Sequence, residues 1–180
     1  MSSAHLTLFN LLVLFSNSLY CAGTLIKPSF CQPGLKHSTR ENTTAEEIAA
    51  ATAAALVRSV PVGVAGVAFL SGTQFLVPAK SITATENPLL PGGLSDEMAA
   101  SYLASINALV NASSGTPNAY GRLPPLTFSF GRGLQGSAMA AWVNGDAKGA
   151  QDAFIKRAKE CSDAAKGAGV KLTAQVPFAA

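Results

Sequence analysis

Residues Val62–Leu70 read Val-Gly-Val-Ala-Gly-Val-Ala-Phe-Leu, with no polar side chain to turn toward water. A strand wetted on one face alternates apolar and polar residues. A run without alternation is what a strand covered on both sides looks like, as in a parallel sheet between helices. Parallel strands cannot be joined by tight hairpins, so each needs a long return, usually a helix. The rest of the chain has that design. Gly23–Lys27 is a short extended run stopped by Pro28, and Leu126–Phe130 is another, after Pro124-Pro125. Thr43 or Thr44 can cap a helix over Ala45–Ser59, whose first turn carries Glu46 and Glu47, where carboxylates favour the positive dipole end. Ile48, Thr52, Ala55 and Leu56 fall near one face of that helix, and Pro61 ends it. Ser95 opens a second helix to about Leu109, and two more are predicted over Gly131–Trp142 and Ala147–Lys166. Three strands alternating with helices predict an α/β fold.

Two segments stand outside this pattern. Phe75–Gly93 holds three prolines and two closing glycines and reads as an irregular insertion. Leu6–Leu19 is mostly apolar and is followed by the small residues Cys21-Ala22-Gly23, which resembles a signal-peptide core, although no Lys or Arg precedes it. It is short for a membrane span and is interrupted by Asn10, Ser16 and Asn17. Residues 1–22 are therefore set apart as a targeting segment or a gene-model artefact, and 23–180 are expected to form the domain. A cytoplasmic location is expected, or a secreted or organellar one if residues 1–22 are a targeting signal.

The remaining composition excludes several classes. The net charge is +3, without a basic stripe interleaved with aromatics, so no nucleic-acid footprint is present. Cys21, Cys31 and Cys161 are scattered and odd in number, which gives neither a disulfide framework nor a CxxC metal pattern. His5 and His37 are the only histidines, so no metal site is expected.

The chemistry gathers where the strands end. In parallel α/β barrels the C-terminal ends of the strands form the site. Lys27 ends the first strand behind Leu25 and Ile26. An apolar setting there favours the free amine, which can attack a ketone, and the resulting iminium is an electron sink. The same position also suits a lysine that snorkels or pairs with a carboxylate. Ser71-Gly72-Thr73 ends the second strand with two hydroxyls and a glycine that a phosphate can approach. Gly131-Arg132-Gly133 ends the third with a guanidinium at a helix start, which suits an anion. Each loop would also serve as an ordinary strand-to-helix turn. A buried amine and two anion loops together point to Schiff-base chemistry on a phosphorylated carbonyl compound.

The literal residues carry more than the pattern. Gly23-Thr24-Leu25-Ile26-Lys27-Pro28, Phe69-Leu70-Ser71-Gly72-Thr73-Gln74 and Leu126-Thr127-Phe128-Ser129-Phe130-Gly131-Arg132-Gly133-Leu134-Gln135 resemble class I fructose-bisphosphate aldolase, as do Ser105–Leu109 and Ala153–Ala158. The resemblance covers about Gly23–Gln74 and Leu94–Gly169, in the family's order. It implies the last three βα units of a (β/α)₈ TIM barrel. It implies Lys27 as the Schiff-base lysine, with Ser71, Gly72, Thr73, Ser129, Gly131 and Arg132 around the substrate phosphate. Thr73 stands where the family usually has glycine. The reaction implied is reversible cleavage of fructose 1,6-bisphosphate to dihydroxyacetone phosphate and glyceraldehyde 3-phosphate, in glycolysis, without a metal or cofactor, in an enzyme that is usually a homo-oligomer. The resemblance does not extend to the five preceding units, which hold the family's acidic proton-transfer residues, or to its C-terminal tyrosine. The alternative reading is a truncated, non-catalytic piece that binds or assembles.

Overall fold

The computed structural model describes residues 20–34, 37–71, 94–113 and 119–172. Most of the N-terminal segment and all of Phe75–Gly93 lie outside the described residues. Those described form a parallel sheet in the order β1 (Leu25–Ile26), β2 (Gly66–Leu70), β3 (Leu126–Ser129). Four helices accompany it: α1 (Ala45–Ser59), α2 (Asp96–Ala112), α3 (Gly131–Val143) and α4 (Ala147–Ala165). No helix among the described residues is long and apolar enough to cross a membrane.

The helix starts follow local chemistry. Thr44, not Thr43, caps α1: its hydroxyl accepts from Glu47 N–H at 3.2 Å, and the Glu47 carboxylate accepts from Thr44 N–H at 2.8 Å. This is a capping box, in which two otherwise orphaned donors are satisfied reciprocally. Thr43 instead donates to Thr39 O at 2.7 Å. Thr44→Ala should cost about 1 kcal/mol of stability, read as a lower urea midpoint at unchanged slope. An unchanged midpoint would mean that α1 is held by packing alone. Ser95 caps α2 through Met98 N–H, and Asp146 caps α4 through Gly149 N–H.

The strands are shorter than expected, for reasons that lie in their neighbours. β1 has two residues, because Cys21–Gly23 winds into a 3₁₀ turn before it. β2 begins only at Gly66. Val64 N–H closes a turn back to Pro61 O, and Val62 is 69% exposed. β3 stops at Ser129, since Phe130 is already the cap position of α3. At its other end α2 runs to Ala112, past the expected Leu109, where the Ser113 hydroxyl donates to Leu109 O.

In-register neighbours of a sheet share a face, and successive residues alternate. Leu25 pairs with Gly66, Ile26 with Val67, Val67 with Leu126 and Phe69 with Phe128. One face therefore presents Ile26, Val67, Phe69, Leu126 and Phe128, and it meets the helices. Val67 and Phe69 are fully buried, and Phe69 stacks on Phe30 with ring centroids 4.4 Å apart. Tyr102 of α2 meets Phe30 edge-on at 5.5 Å. α1 contributes Ile48, Ala49, Thr52, Ala53, Leu56 and Val57 to the core, and α2 contributes Leu103, Ile106 and Leu109. The opposite face presents Leu25, Gly66, Ala68, Leu70, Thr127 and Ser129. The apolar run of β2 is the pattern of a strand covered on both sides, whereas an arc of three units is expected to leave one sheet face without its cover. Among the described residues only one face is covered by helices, and Leu25 is 56% exposed on the other. The middle strand escapes exposure because its open-face positions Gly66 and Ala68 are small, and Leu25 leans over Gly66.

Candidate active site at the strand ends

Lys27 continues the alternation of β1. Leu25 is exposed, Ile26 buried, Lys27 exposed and Pro28 buried. The Leu70 N–H donates to Pro28 O at 3.1 Å, so the chain stays alongside β2 past the end of the ladder. Continuing the register by one residue places Lys27 beside Ala68, and hence in line with Thr127. The expectation of a buried amine is corrected. β1 is an edge strand, and its odd-numbered positions turn away from the helices. The apolar residues Leu25 and Ile26 sit on opposite faces, so they cannot both enclose the amine.

Ser71 is buried at the end of β2. Gly72 and Thr73 lie outside the described residues. Ser129 is the last residue of β3, half-buried, paired with Leu70 and on the face to which Lys27 belongs. Gly131 is the first residue of α3 and is exposed; a Cβ placed on it would meet nothing within 4 Å. The α3 start differs from the other three α-helix starts, because Phe130 at its cap position has no oxygen to offer and makes no side-chain cap bond. Its first-turn N–H groups therefore lack the bond from a cap residue's own hydroxyl or carboxylate that the other three starts have.

Arg132 joins the elements. Its Nη2 donates to Ser71 O at 3.3 Å, to Leu94 O at 3.3 Å, and approaches Asp96 Oδ1 at 3.5 Å. Ser71 and Arg132 thus meet at one end of the sheet, with the guanidinium between the end of β2 and the start of α2. The contact at Ser71 is with the carbonyl and not the hydroxyl. The Arg132 side chain remains 44% exposed.

Two residues around this site were not singled out from sequence for a role in it. Asp96 is the first residue of α2, directly after its cap Ser95. Arg157 was noted only as part of the resemblance. Its Nε donates to Gly133 O at 2.9 Å and its Nη1 to Glu160 Oε2 at 2.6 Å, so α4 holds the first turn of α3 in place. No sequence signal ties these residues, since the partners of Arg157 on α2 and α3 are remote in the chain. On the helix side a cavity of about 540 Å³ lies between α2, α3 and α4, walled by Asp96, Glu97, Gly133, Lys156 and Arg157. Lys27 does not line it. Burial pushes the thiols of Cys31 and Cys161 up, which disfavours the nucleophilic thiolate. Among the described residues no group of three His, Cys, Asp or Glu side chains is placed to hold a metal ion.

Comparison with known proteins agrees with this layout. The model of the family described as fructose-bisphosphate aldolase class-I matches residues 6–88 and 77–176. The first match begins within the N-terminal segment, and the two ranges overlap inside Phe75–Gly93. The chain is 38% identical over 156 residues to fructose-bisphosphate aldolase B of Sparus aurata, and 39% identical over 156 residues to fructose-bisphosphate aldolase C-B of Danio rerio. Each alignment covers 86% of this chain and 34% of the relative, so the chain spans about a third of the length of these curated relatives. Among solved structures, fructose-bisphosphate aldolase from Plasmodium falciparum, in a ternary co-crystal with TRAP and a small molecule inhibitor, superposes with a TM-score of 0.68. It is 28% identical, and the match covers 94% of this chain and 41% of that one. The three parallel strands and their helices are a portion of a TIM-type barrel.

Proposed function

Because the chain belongs to the class-I fructose-bisphosphate aldolase family, we propose that it carries the imine-forming and phosphate-holding part of an aldolase site, acting on fructose 1,6-bisphosphate and dihydroxyacetone phosphate in glycolysis. On this reading the Lys27 amine adds to the ketone carbonyl carbon. Loss of water from the carbinolamine leaves an iminium. Deprotonation of the C4 hydroxyl then sends the electrons of the C3–C4 bond into the iminium nitrogen, which releases glyceraldehyde 3-phosphate and leaves an enamine. Protonation and hydrolysis of the enamine release dihydroxyacetone phosphate and restore the lysine. Ser71, Gly72 and Thr73 hold the phosphate from the β2 side, and Ser129, Gly131 and Arg132 hold it from the β3 side. None of these residues is assigned the proton transfers.

The observation that carries the proposal is the convergence at one end of a parallel sheet. Lys27 follows β1, Ser71 follows β2, Arg132 lies in the first turn of α3 just after β3, and Arg132 is bonded to the Ser71 carbonyl. That end is where such sheets build their sites. The test is borohydride reduction of the protein with dihydroxyacetone phosphate, followed by peptide mass mapping. One reduced adduct is expected, on the peptide containing Lys27. Labelling of Lys36 or Lys80 instead refutes the assignment, and no adduct at all favours the non-catalytic reading.

The phosphate assignment makes its own prediction. A charge-assisted hydrogen bond contributes about 1.5–3 kcal/mol, and the lower end applies to a side chain that is half exposed. Arg132→Gln should weaken binding of dihydroxyacetone phosphate about tenfold and leave the much weaker binding of unphosphorylated dihydroxyacetone unchanged. Equal losses for both ligands, measured by titration, would remove Arg132 from the phosphate site.

A further inference from the structure

Arg132 is already occupied by the protein's own oxygens, and this bears on how it would take a phosphate. A single nitrogen, Nη2, faces three acceptors, Ser71 O, Leu94 O and Asp96 Oδ1, at 3.3, 3.3 and 3.5 Å. An –NH₂ group has two hydrogens, so the three contacts are shared and long, not three full bonds. Among the described residues Nε and Nη1 have no protein partner. The Asp96 carboxylate is the only charged group of the three acceptors, and its side chain is 28% exposed. It also lies beside Gly133. A Cβ on Gly133 would come within 3.3 Å of Asp96 Oδ1, so the carboxylate lies close against the first turn of α3. An acid thus sits against both features that a phosphate would use, the guanidinium and the start of the uncapped helix. Glu97, the next acid along, faces Arg157 at 3.9 Å and not Arg132.

We propose that Asp96 is the positioning residue of the phosphate site: its carboxylate holds Arg132 across the ends of β2 and β3, and an arriving phosphate displaces it from the guanidinium. This rests on the phosphate reading of Arg132 given above. The exchange is of one anion for another at the same cation. A carboxylate at 3.5 Å on one nitrogen gives way to a dianion with three acceptor oxygens that can engage Nε and Nη together, the fork geometry for which Arg is suited. Asp96 keeps the side chain from collapsing onto other partners, and competes with the ligand as the consequence.

The test is calorimetric titration of the full chain with inorganic phosphate for the wild type, Asp96→Asn, Asp96→Glu, Arg132→Gln and the Asp96→Asn, Arg132→Gln double variant, with the Arg132 Nε–Cζ signals followed by NMR in the three proteins that keep Arg132. Asn keeps the shape of Asp and removes its charge. Asp96→Asn should bind phosphate about fivefold more tightly, about the effect of one unit charge 4 Å away in water, and rotation about Nε–Cζ should quicken in the phosphate-free protein. Asp96→Glu should restore slow rotation and an affinity near that of the wild type. In the Arg132→Gln background the charge removal should gain nothing. The same fivefold gain in both backgrounds would show that Asp96 repels phosphate by its field alone, and would overturn the proposal. So would equal affinity of the wild type and Asp96→Asn, or rotation that Asp96→Asn leaves unchanged. If phosphate moves the Arg132 signals in none of the proteins that keep Arg132, the phosphate reading itself fails and the exchange falls with it.

Discussion

Lys27→Met should abolish the borohydride-stable adduct with dihydroxyacetone phosphate, from one per chain to background. The reasoning is chemical. The adduct is the reduced form of an iminium, and an iminium needs a primary amine at the carbonyl carbon. Methionine has a comparable length and no nucleophilic nitrogen. Lys27 is exposed at the end of an edge strand, and surface substitutions away from special features usually change stability by no more than about 0.5 kcal/mol. A lost adduct would therefore report lost chemistry and not lost folding, which an unchanged urea midpoint would verify. Lys148, Lys156, Lys159, Lys166 and Lys171 supply amines on or just after α4, far along the chain from the strand ends, as internal controls. An adduct that persists in Lys27→Met, on any of them, would end the case for Lys27.

Gly167→Ala should cost about 2–5 kcal/mol, a large part of the 5–15 kcal/mol that holds a typical domain together. Gly167 follows the C-cap of α4 at φ +69°. Its N–H donates to Ala164 O and the Ala168 N–H donates to Asp163 O, the two bonds of a Schellman motif. An L residue at that φ costs about 1–2 kcal/mol. The larger part comes from packing. A Cβ on Gly167 would lie 2.6 Å from Ala108 N and 2.9 Å from the Asn107 carbonyl carbon, both backbone atoms of α2. Backbone cannot step aside as a flexible side chain can, so the end of α4 would have to leave α2, at about 1–3 kcal/mol. Two further bonds would go with it, from Asn107 Nδ2 to Ala164 O and from Asn111 Nδ2 to Lys166 O. Gly169→Ala is the matched control. It has φ +79° and open space around the added Cβ, so it should lose only the conformational part. Equal urea midpoints for the two variants would mean that α4 does not press on α2 at this point.

Much of the local structure was written in the sequence. Thr44 with Glu47, Ser95 with Met98, and Asp146 with Gly149 are bonds between residues three apart, and a helix start needs nothing more distant. The helix limits follow from them and from Pro61. The parallel α/β class follows from apolar runs separated by helices, and the literal residues at the strand ends carried the family. Strand length, solvent exposure and side-chain partnership were not readable in this way. β2 pairs with residues about forty positions before it and sixty after, and the turns and caps at their edges trim each strand. The exposure of Lys27 depends on which face of an edge strand it occupies and on what covers that face. Arg132 meets oxygens 61, 38 and 36 residues away. What the sequence determined by itself was the chemistry available at the ends of three strands, because covalent order sets which residue follows which. Which of those groups touch, and that Asp96 lies on Arg132, was decided only by the packing of α2 and α3 at the ends of the sheet. Long-range contacts are products of many weak burials at once, and no short stretch of sequence contains them.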